Sequence, residues 1–103
     1  MEPRIPVNRE QIAAFCQKWR IVEFAFFGSV LTDEFRPDSD VDVLVTFAPD
    51  AAWGLWDLYD MEESLKIMFG RKVDLVTRRS VDRSENYLMR GSILAGARTF
   101  YAA

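Results

Sequence analysis

Histidine is absent from this 103-residue sequence, and cysteine occurs once. The first absence removes Ser-His-Asp and Cys-His nucleophilic sites and ordinary zinc centres. Any enzyme chemistry then rests on carboxylates, most naturally with a hard cation held by oxygen ligands. The single cysteine rules out an internal disulfide. Cys16, in IAAFCQKW, falls on an apolar helical face and reads as a small buried hydrophobe.

Long apolar runs are missing as well. No segment approaches the roughly 20 residues of a membrane helix. The opening MEPRIPVNREQ lacks the apolar core of a signal peptide, so a cytoplasmic location is the expectation. No repeat, low-complexity tract or linker divides the chain, which predicts one domain over residues 1–103. Half of the residues are hydrophobic, a globular composition.

The net charge of −3 conceals an uneven distribution. Residues 31–63 carry ten acids against one base, Arg36, whereas residues 71–103 carry seven bases against three acids. The acidic half suits cations, and the basic half suits phosphates or an acidic partner surface. The bases Arg71, Lys72, Arg78, Arg79, Arg83, Arg90 and Arg98 are too scattered to define a nucleic-acid groove, which disfavours nucleic acid as the substrate.

Periodicity predicts the elements. Asn8 can cap a helix carrying Ile12, Phe15, Cys16 and Trp19 at helical spacing. IVEFAFF, residues 21–27, is β-branched and aromatic and reads as a strand ending at Gly28. Asp40 to Phe47 reads as a second strand after a Pro37-Asp38-Ser39 turn. Residues 53–69 read as a helix with Leu58, Met61, Leu65 and Met68 inward and Gly70 at its C-terminal cap. Lys72 to Thr77 predicts a third strand, and Ser84 to Tyr101 a last helix that Gly91 and Gly96 weaken. The fold class is therefore α/β (α+β): a small three- to four-stranded sheet flanked by helices.

The stretch GSVLTDEFRPDSDVDVLV, Gly28 to Val45, raises the sharpest question. Asp40 and Asp42 sit within a predicted strand, and buried charges are costly unless paired or bound to a metal. Alternation resolves part of the conflict. Asp40 and Asp42 project to one face, while Val41, Val43, Val45 and Phe47 project to the other. Residues two apart on a strand have Cα atoms about 6.6 Å apart, close enough for their carboxylates to share cations. RKVDLVT sets a third acid, Asp74, among strand-forming residues. If this strand neighbours the second, three carboxylates meet on one face. Their mutual repulsion favours a divalent cation, Mg²⁺ or Mn²⁺. Gly28 and Ser29 precede the pair. A glycine admits close backbone approach, and a serine hydroxyl with backbone N–H groups can hold phosphate oxygens. Phosphate grip and cation pair together describe a metal-nucleotide site.

These residues resemble a known signature. Gly28-Ser29, ten intervening residues, Asp40-Val41-Asp42 and a later strand aspartate, Asp74, resemble the nucleotidyltransferase motif of the DNA polymerase β superfamily. Most of the chain is similar to the minimal nucleotidyltransferases, the MNT partners of HEPN/MNT toxin–antitoxin pairs. The resemblance implies the polymerase β-like fold, a mixed sheet with its site at one edge. It implies transfer of a nucleoside monophosphate, AMP from ATP, to a hydroxyl with release of pyrophosphate. Asp40, Asp42 and Asp74 would ligate Mg²⁺ (or Mn²⁺), Asp74 would also help deprotonate the acceptor, and Gly28 and Ser29 would hold the triphosphate. The implied acceptor is a tyrosine of a HEPN toxin, an RNase that adenylylation silences. The chain departs from the pattern at one place: relatives read G-S-x-A-R-G, and here Thr32 and Asp33 occupy the arginine and glycine positions. Arg36 or Lys72 could supply the missing cation.

Two other readings follow from the residues. With a degenerate site the chain would act as a binding module that neutralises a toxin by complex formation, using Trp53, Trp56 and Tyr59. A small-molecule nucleotidyltransferase would need a substrate domain, and too little sequence follows Asp74 to build one. An open acceptor side points instead to a large acceptor or a second subunit, in a homo- or hetero-oligomer.

Overall fold

A computed structural model describes Pro3 and residues 5–103. The elements run α1 (Arg9–Lys18), β1 (Ile21–Phe27), a 3₁₀ turn (Gly28–Leu31), β2 (Val41–Phe47), α2 (Leu55–Phe69), β3 (Val73–Thr77), α3 (Arg78–Asp82), α4 (Tyr87–Gly96) and β4 (Arg98–Ala102). The sheet order is β3-β2-β1-β4. β1 pairs antiparallel with both β2 and β4, and β2 pairs parallel with β3. Helix α2 is the crossover of that parallel pair, the connection that two parallel strands require. The sheet is therefore mixed, and its helices flank it as the periodicity predicts.

Local signals account for most boundaries. The Asn8 side chain accepts a hydrogen bond from the Gln11 N–H at 3.1 Å and starts α1. Gly70, at φ 69°, closes α2 in the left-handed conformation and donates its N–H to the Lys66 carbonyl at 2.8 Å. Helix α2 begins two residues later than the apolar pattern predicts. The Asp57 carboxylate accepts the Gly54 N–H at 2.9 Å and sets the start there. Trp53 is thereby released to pack edge-on against Trp19, with ring centroids 5.1 Å apart.

The single last helix expected over residues 84–101 is corrected. One shorter helix, α4, and the strand β4 occupy the region, with the short α3 just before it. Thr77 caps α3 through the Ser80 N–H at 3.1 Å, and Asn86 caps α4 through the Met89 N–H at 3.0 Å. Helix α4 ends at Gly96. The following Thr99, Phe100 and Tyr101 are strand-forming residues, and they pair with the otherwise open edge of β1.

Apolar contacts cover both faces of the sheet. On one face, α1 and α2 bury Ile12, Phe15, Cys16, Met61 and Leu65 against Phe24, Phe26, Val41, Val43, Val45 and Val73. Phe24 meets Phe15 and Phe26 edge-on, with centroids 6.3 and 5.4 Å apart. The Cys16 thiol is buried in this layer and burial pushes its pKa up to about 12, in keeping with a structural role. On the other face, a smaller cluster joins Ala25 and Leu44 to Val81 of α3 and to Ile93 and Leu94 of α4. Phe24 has no exposed surface. Its replacement by alanine is expected to cost about 3–5 kcal/mol, read as a drop in the denaturation midpoint at constant slope.

Candidate active site

The site lies where β1 ends and β2 and β3 begin. In the parallel register Asp42 stands directly beside Asp74, and Val41 beside Val73. On its other side Asp42 is opposite Phe27, the last residue of β1. Neighbouring strands lie about 4.8 Å apart, so the two carboxylates are held side by side on one face of the sheet. Asp40 immediately precedes β2. Asp40 and Asp74 are exposed, and Asp42 is half-buried between them. The alternation expected from sequence therefore holds. Val41, Val43 and Val45 are fully buried on the opposite face, and Asp42 is kept out of that core.

The charges on this face act on one another. Burial, then the charge of Asp74, then that of Asp40, push the Asp42 carboxyl up to about 6. Two neighbouring carboxylates thus lie close enough to disfavour its ionisation. Among the described residues no group of three acidic, histidine or cysteine side chains is already gathered to hold a metal. Asp42 and Asp74 lie in register and Asp40 directly precedes β2, so the three acids neighbour one another without forming a ready-made cage. Oxygen donors crowded at this spacing fit a hard divalent cation, whose charge would cancel the repulsion.

The Gly28 turn abuts the same carboxylate. Gly28 adopts φ 77°, and a Cβ on it would lie 2.3 Å from Oδ2 of Asp42. Only a glycine satisfies both the turn and this approach. The next residues form one 3₁₀ turn, anchored by the buried Val30 and Leu31. The Ser29 carbonyl accepts the Thr32 N–H at 2.9 Å and the Thr32 hydroxyl at 3.0 Å, and that hydroxyl accepts the Glu34 N–H at 3.2 Å. Thr32 is thus committed to holding the turn and does not fill an arginine's place.

A cleft of about 450 Å³ opens from Gly28 and Ser29. Leu31, Thr32 and Glu34 form one side, and Ser92, Gly96 and Arg98 the other. This size is within the range of small-molecule sites. Neither cation considered from the sequence lines it. Arg36 borders a separate pocket with Phe35 and Arg71, where the Arg71 guanidinium lies 4.6 Å from the Phe35 ring. Lys72 is exposed, and its carbonyl accepts the Val41 N–H at 2.9 Å. Arg98 does line the cleft, and sequence reasoning did not single it out. Its strand lay in a stretch with helical spacing, and the pairing of Arg98 with Phe26 of β1 is a long-range fact.

Comparison with known proteins adds sequence and fold relatives. The pattern of the nucleotidyltransferase domain family matches residues 9–95. A protein adenylyltransferase, MntA, of Thermococcus cleftensis is 35% identical over 65 residues, 63% of this chain and 64% of the relative. The match thus spans a little under two thirds of that protein's length. A solved structure described as a candidate minimal nucleotidyltransferase superposes with a TM-score of 0.67 at 31% identity, over 87% of this chain and 86% of the other. A chain from the complex of tri-AMPylated Shewanella oneidensis HEPN toxin with its MNT antitoxin superposes with a TM-score of 0.64 over 92% of this chain and 70% of that one. At 16% identity the last likeness shows the fold alone.

Proposed function

The chain belongs to the nucleotidyltransferase domain family, and on that premise we propose that it transfers AMP from ATP to a tyrosine hydroxyl of a HEPN-type toxin, as the antitoxin of the pair. The single observation that carries this reading is the parallel register of Asp42 with Asp74 beside the Gly28-Ser29 turn. The T. cleftensis relative is a protein adenylyltransferase, which favours a protein acceptor.

Asp40, Asp42 and Asp74 would hold Mg²⁺ (or Mn²⁺). When bound, the cation supplies positive charge to the triphosphate and to the departing pyrophosphate. The residues of the chain do the positioning. Gly28 brings bare backbone to the phosphates, and the Ser29 hydroxyl and the turn's N–H groups donate to their oxygens. Asp74, an exposed carboxylate in register with Asp42, accepts the hydroxyl proton of the acceptor. The hydroxyl oxygen then bonds to the α-phosphorus, the bond to the bridging oxygen breaks, and pyrophosphate carries away the electron pair. The acceptor side carries no substrate domain among the described elements, which suits a protein that brings its own tyrosine.

The test uses ATP labelled at the α-phosphate, Mg²⁺ and the protein encoded by the adjacent reading frame. Label is expected on one or more tyrosines of that protein. Absence of label, under conditions where a related enzyme modifies its own partner, overturns the reading.

A second reading, neutralisation by binding alone, is favoured by one surface. Trp56 is 82% exposed and Leu55 84% exposed at the start of α2, beside the half-exposed Tyr59. Aromatic side chains of this kind anchor protein interfaces. Trp53, grouped with them from sequence, instead packs against Trp19 and donates its Nε1–H to the Trp19 carbonyl at 2.8 Å. An Asp40→Asn/Asp42→Asn double variant separates the readings. Loss of protection from the toxin at equal expression supports catalysis, and retained protection supports binding.

A further inference from the structure

We infer that Arg98, from the last strand, is the cation that grips the triphosphate in this chain, in place of the motif arginine replaced by Thr32. The inference rests on the nucleotidyl-transfer reading and extends it to a residue outside the matched family segment, which ends at residue 95. Three observations converge. Among the residues lining the cleft that opens from Gly28 and Ser29, Arg98 is the one cation. Its place is fixed by the sheet, because Arg98 pairs with Phe26 two residues before Gly28, so the strand carrying the cation and the strand carrying the turn are hydrogen-bonded neighbours. Its guanidinium is held from behind. Nη1 donates to the carbonyls of Ala97, Ala95 and Gly96 at 3.1, 3.3 and 3.5 Å, the last carbonyls of α4.

Those contacts engage one nitrogen of a group with five N–H donors. Among the described residues Arg98 forms no ion pair with a carboxylate, and its side chain is exposed. The remaining donors form a planar fork suited to phosphate oxygens. Arg36 and Lys72 do not line this cleft. Thr32 could not be exchanged for a cation without loss, since its hydroxyl both donates to the Ser29 carbonyl and accepts the Glu34 N–H. The grip has therefore moved across the cleft, from the turn to the strand beside it. It also ties nucleotide binding to β4, a strand that among the described residues pairs with β1 alone.

Arg98 has a structural role too, at the end of α4, and the experiment must separate the two. Arg98→Gln keeps an N–H donor for the α4 carbonyls and removes the charge. Arg98→Lys keeps the charge and loses the fork. Calorimetric titration of the full chain with Mg-ATP and with Mg-tripolyphosphate, with the unfolding midpoint of each variant measured alongside, gives the readout. Arg98→Gln is expected to bind both probes at least about tenfold more weakly at an unchanged midpoint. Arg98→Lys is expected to recover most of that loss, because a charge-assisted contact is worth one to two decades in affinity. Wild-type affinity in Arg98→Gln overturns the inference and leaves the nucleotidyl-transfer reading standing. Equal losses in both variants with a lowered midpoint assign Arg98 to the helix end alone and likewise overturn it. Failure of the wild type to bind either probe overturns both.

Discussion

Asp42→Asn is expected to lower the rate of AMP transfer by at least about 10²–10³-fold while making the cation-free chain more stable at neutral pH. The first effect follows from position. Asp42 is the central carboxylate, beside Asp74 in register and against Gly28, so under the proposed function it would share a cation held on this face. Charge stabilisation by a bound metal amounts to several kcal/mol, and each 1.36 kcal/mol is a decade in rate. The second effect follows from the raised carboxyl, at about 6 against an ordinary 3.8, pushed up by burial and then by Asp74 and Asp40. In the folded chain this group holds its proton more tightly than in the unfolded one. Its contribution to stability is fully present below pH 4 and is lost as the pH rises through about 6. A rise from 3.8 to about 6 corresponds to roughly 3 kcal/mol in a sealed site, and solvent access at half-buried Asp42 reduces that to about 1 kcal/mol. Asparagine carries no charge at any pH. Denaturation curves in chelator at pH 5 and pH 7.5 should therefore show wild type weaker at the higher pH and Asp42→Asn nearly level. Added Mg²⁺ should restore the wild type at pH 7.5 and do little for the variant. Equal pH profiles for the two chains in chelator would remove the electrostatic account of this site.

Much of that site was legible because it is encoded in short periods. D-V-D-V-L-V alternates, so the aspartates and the valines had to part onto opposite faces. A lone aspartate in RKVDLVT is out of place in a buried strand, and β-α-β connections bring such strands into parallel pairing. Asp74 could thus be named as a third carboxylate on the condition that its strand neighbours β2, and the parallel register meets that condition. Three features resisted this logic. Helical spacing continues through residues 84–101, but the open edge of β1 recruits Arg98–Ala102, and edge demand is invisible to a local window. Trp53, Trp56 and Tyr59 look alike in sequence. Trp53 is drawn inward by the Trp19 carbonyl and ring, and the other two stay out. The sign of the Asp42 shift was foreseeable from crowding alone. Its leading cause, burial, was not, because the close approach of the Gly28 turn to Oδ2 of Asp42 is a tertiary contact.

Gly28→Ala is expected to cost more than its single methyl implies, because it violates two requirements at once. At φ 77° an L-residue pays roughly 1–2 kcal/mol of backbone strain relative to glycine. The new Cβ would also fall 2.3 Å from Oδ2 of Asp42, inside any permitted contact. Relief has two routes, and each damages the site. If Asp42 rotates away, its carboxylate leaves Asp74's side. If the turn shifts, Ser29 moves with it, and the Ser29–Thr32 hydrogen bonds that shape the turn are lost. Stability should fall by about 2 kcal/mol, read as a lowered denaturation midpoint at constant slope. Transfer should fall by about 10²-fold or more, since a displacement near 1 Å at reacting groups has that effect. The two losses can be told apart from general unfolding. Combining Gly28→Ala with Asp42→Ala leaves the backbone strain in place and removes the oxygen that the methyl crowds, so the pair should be less destabilising than the sum of the single changes. Strict additivity in that double-mutant cycle would mean that Gly28 serves only its own turn, and that the close approach to Asp42 has no part in building the site.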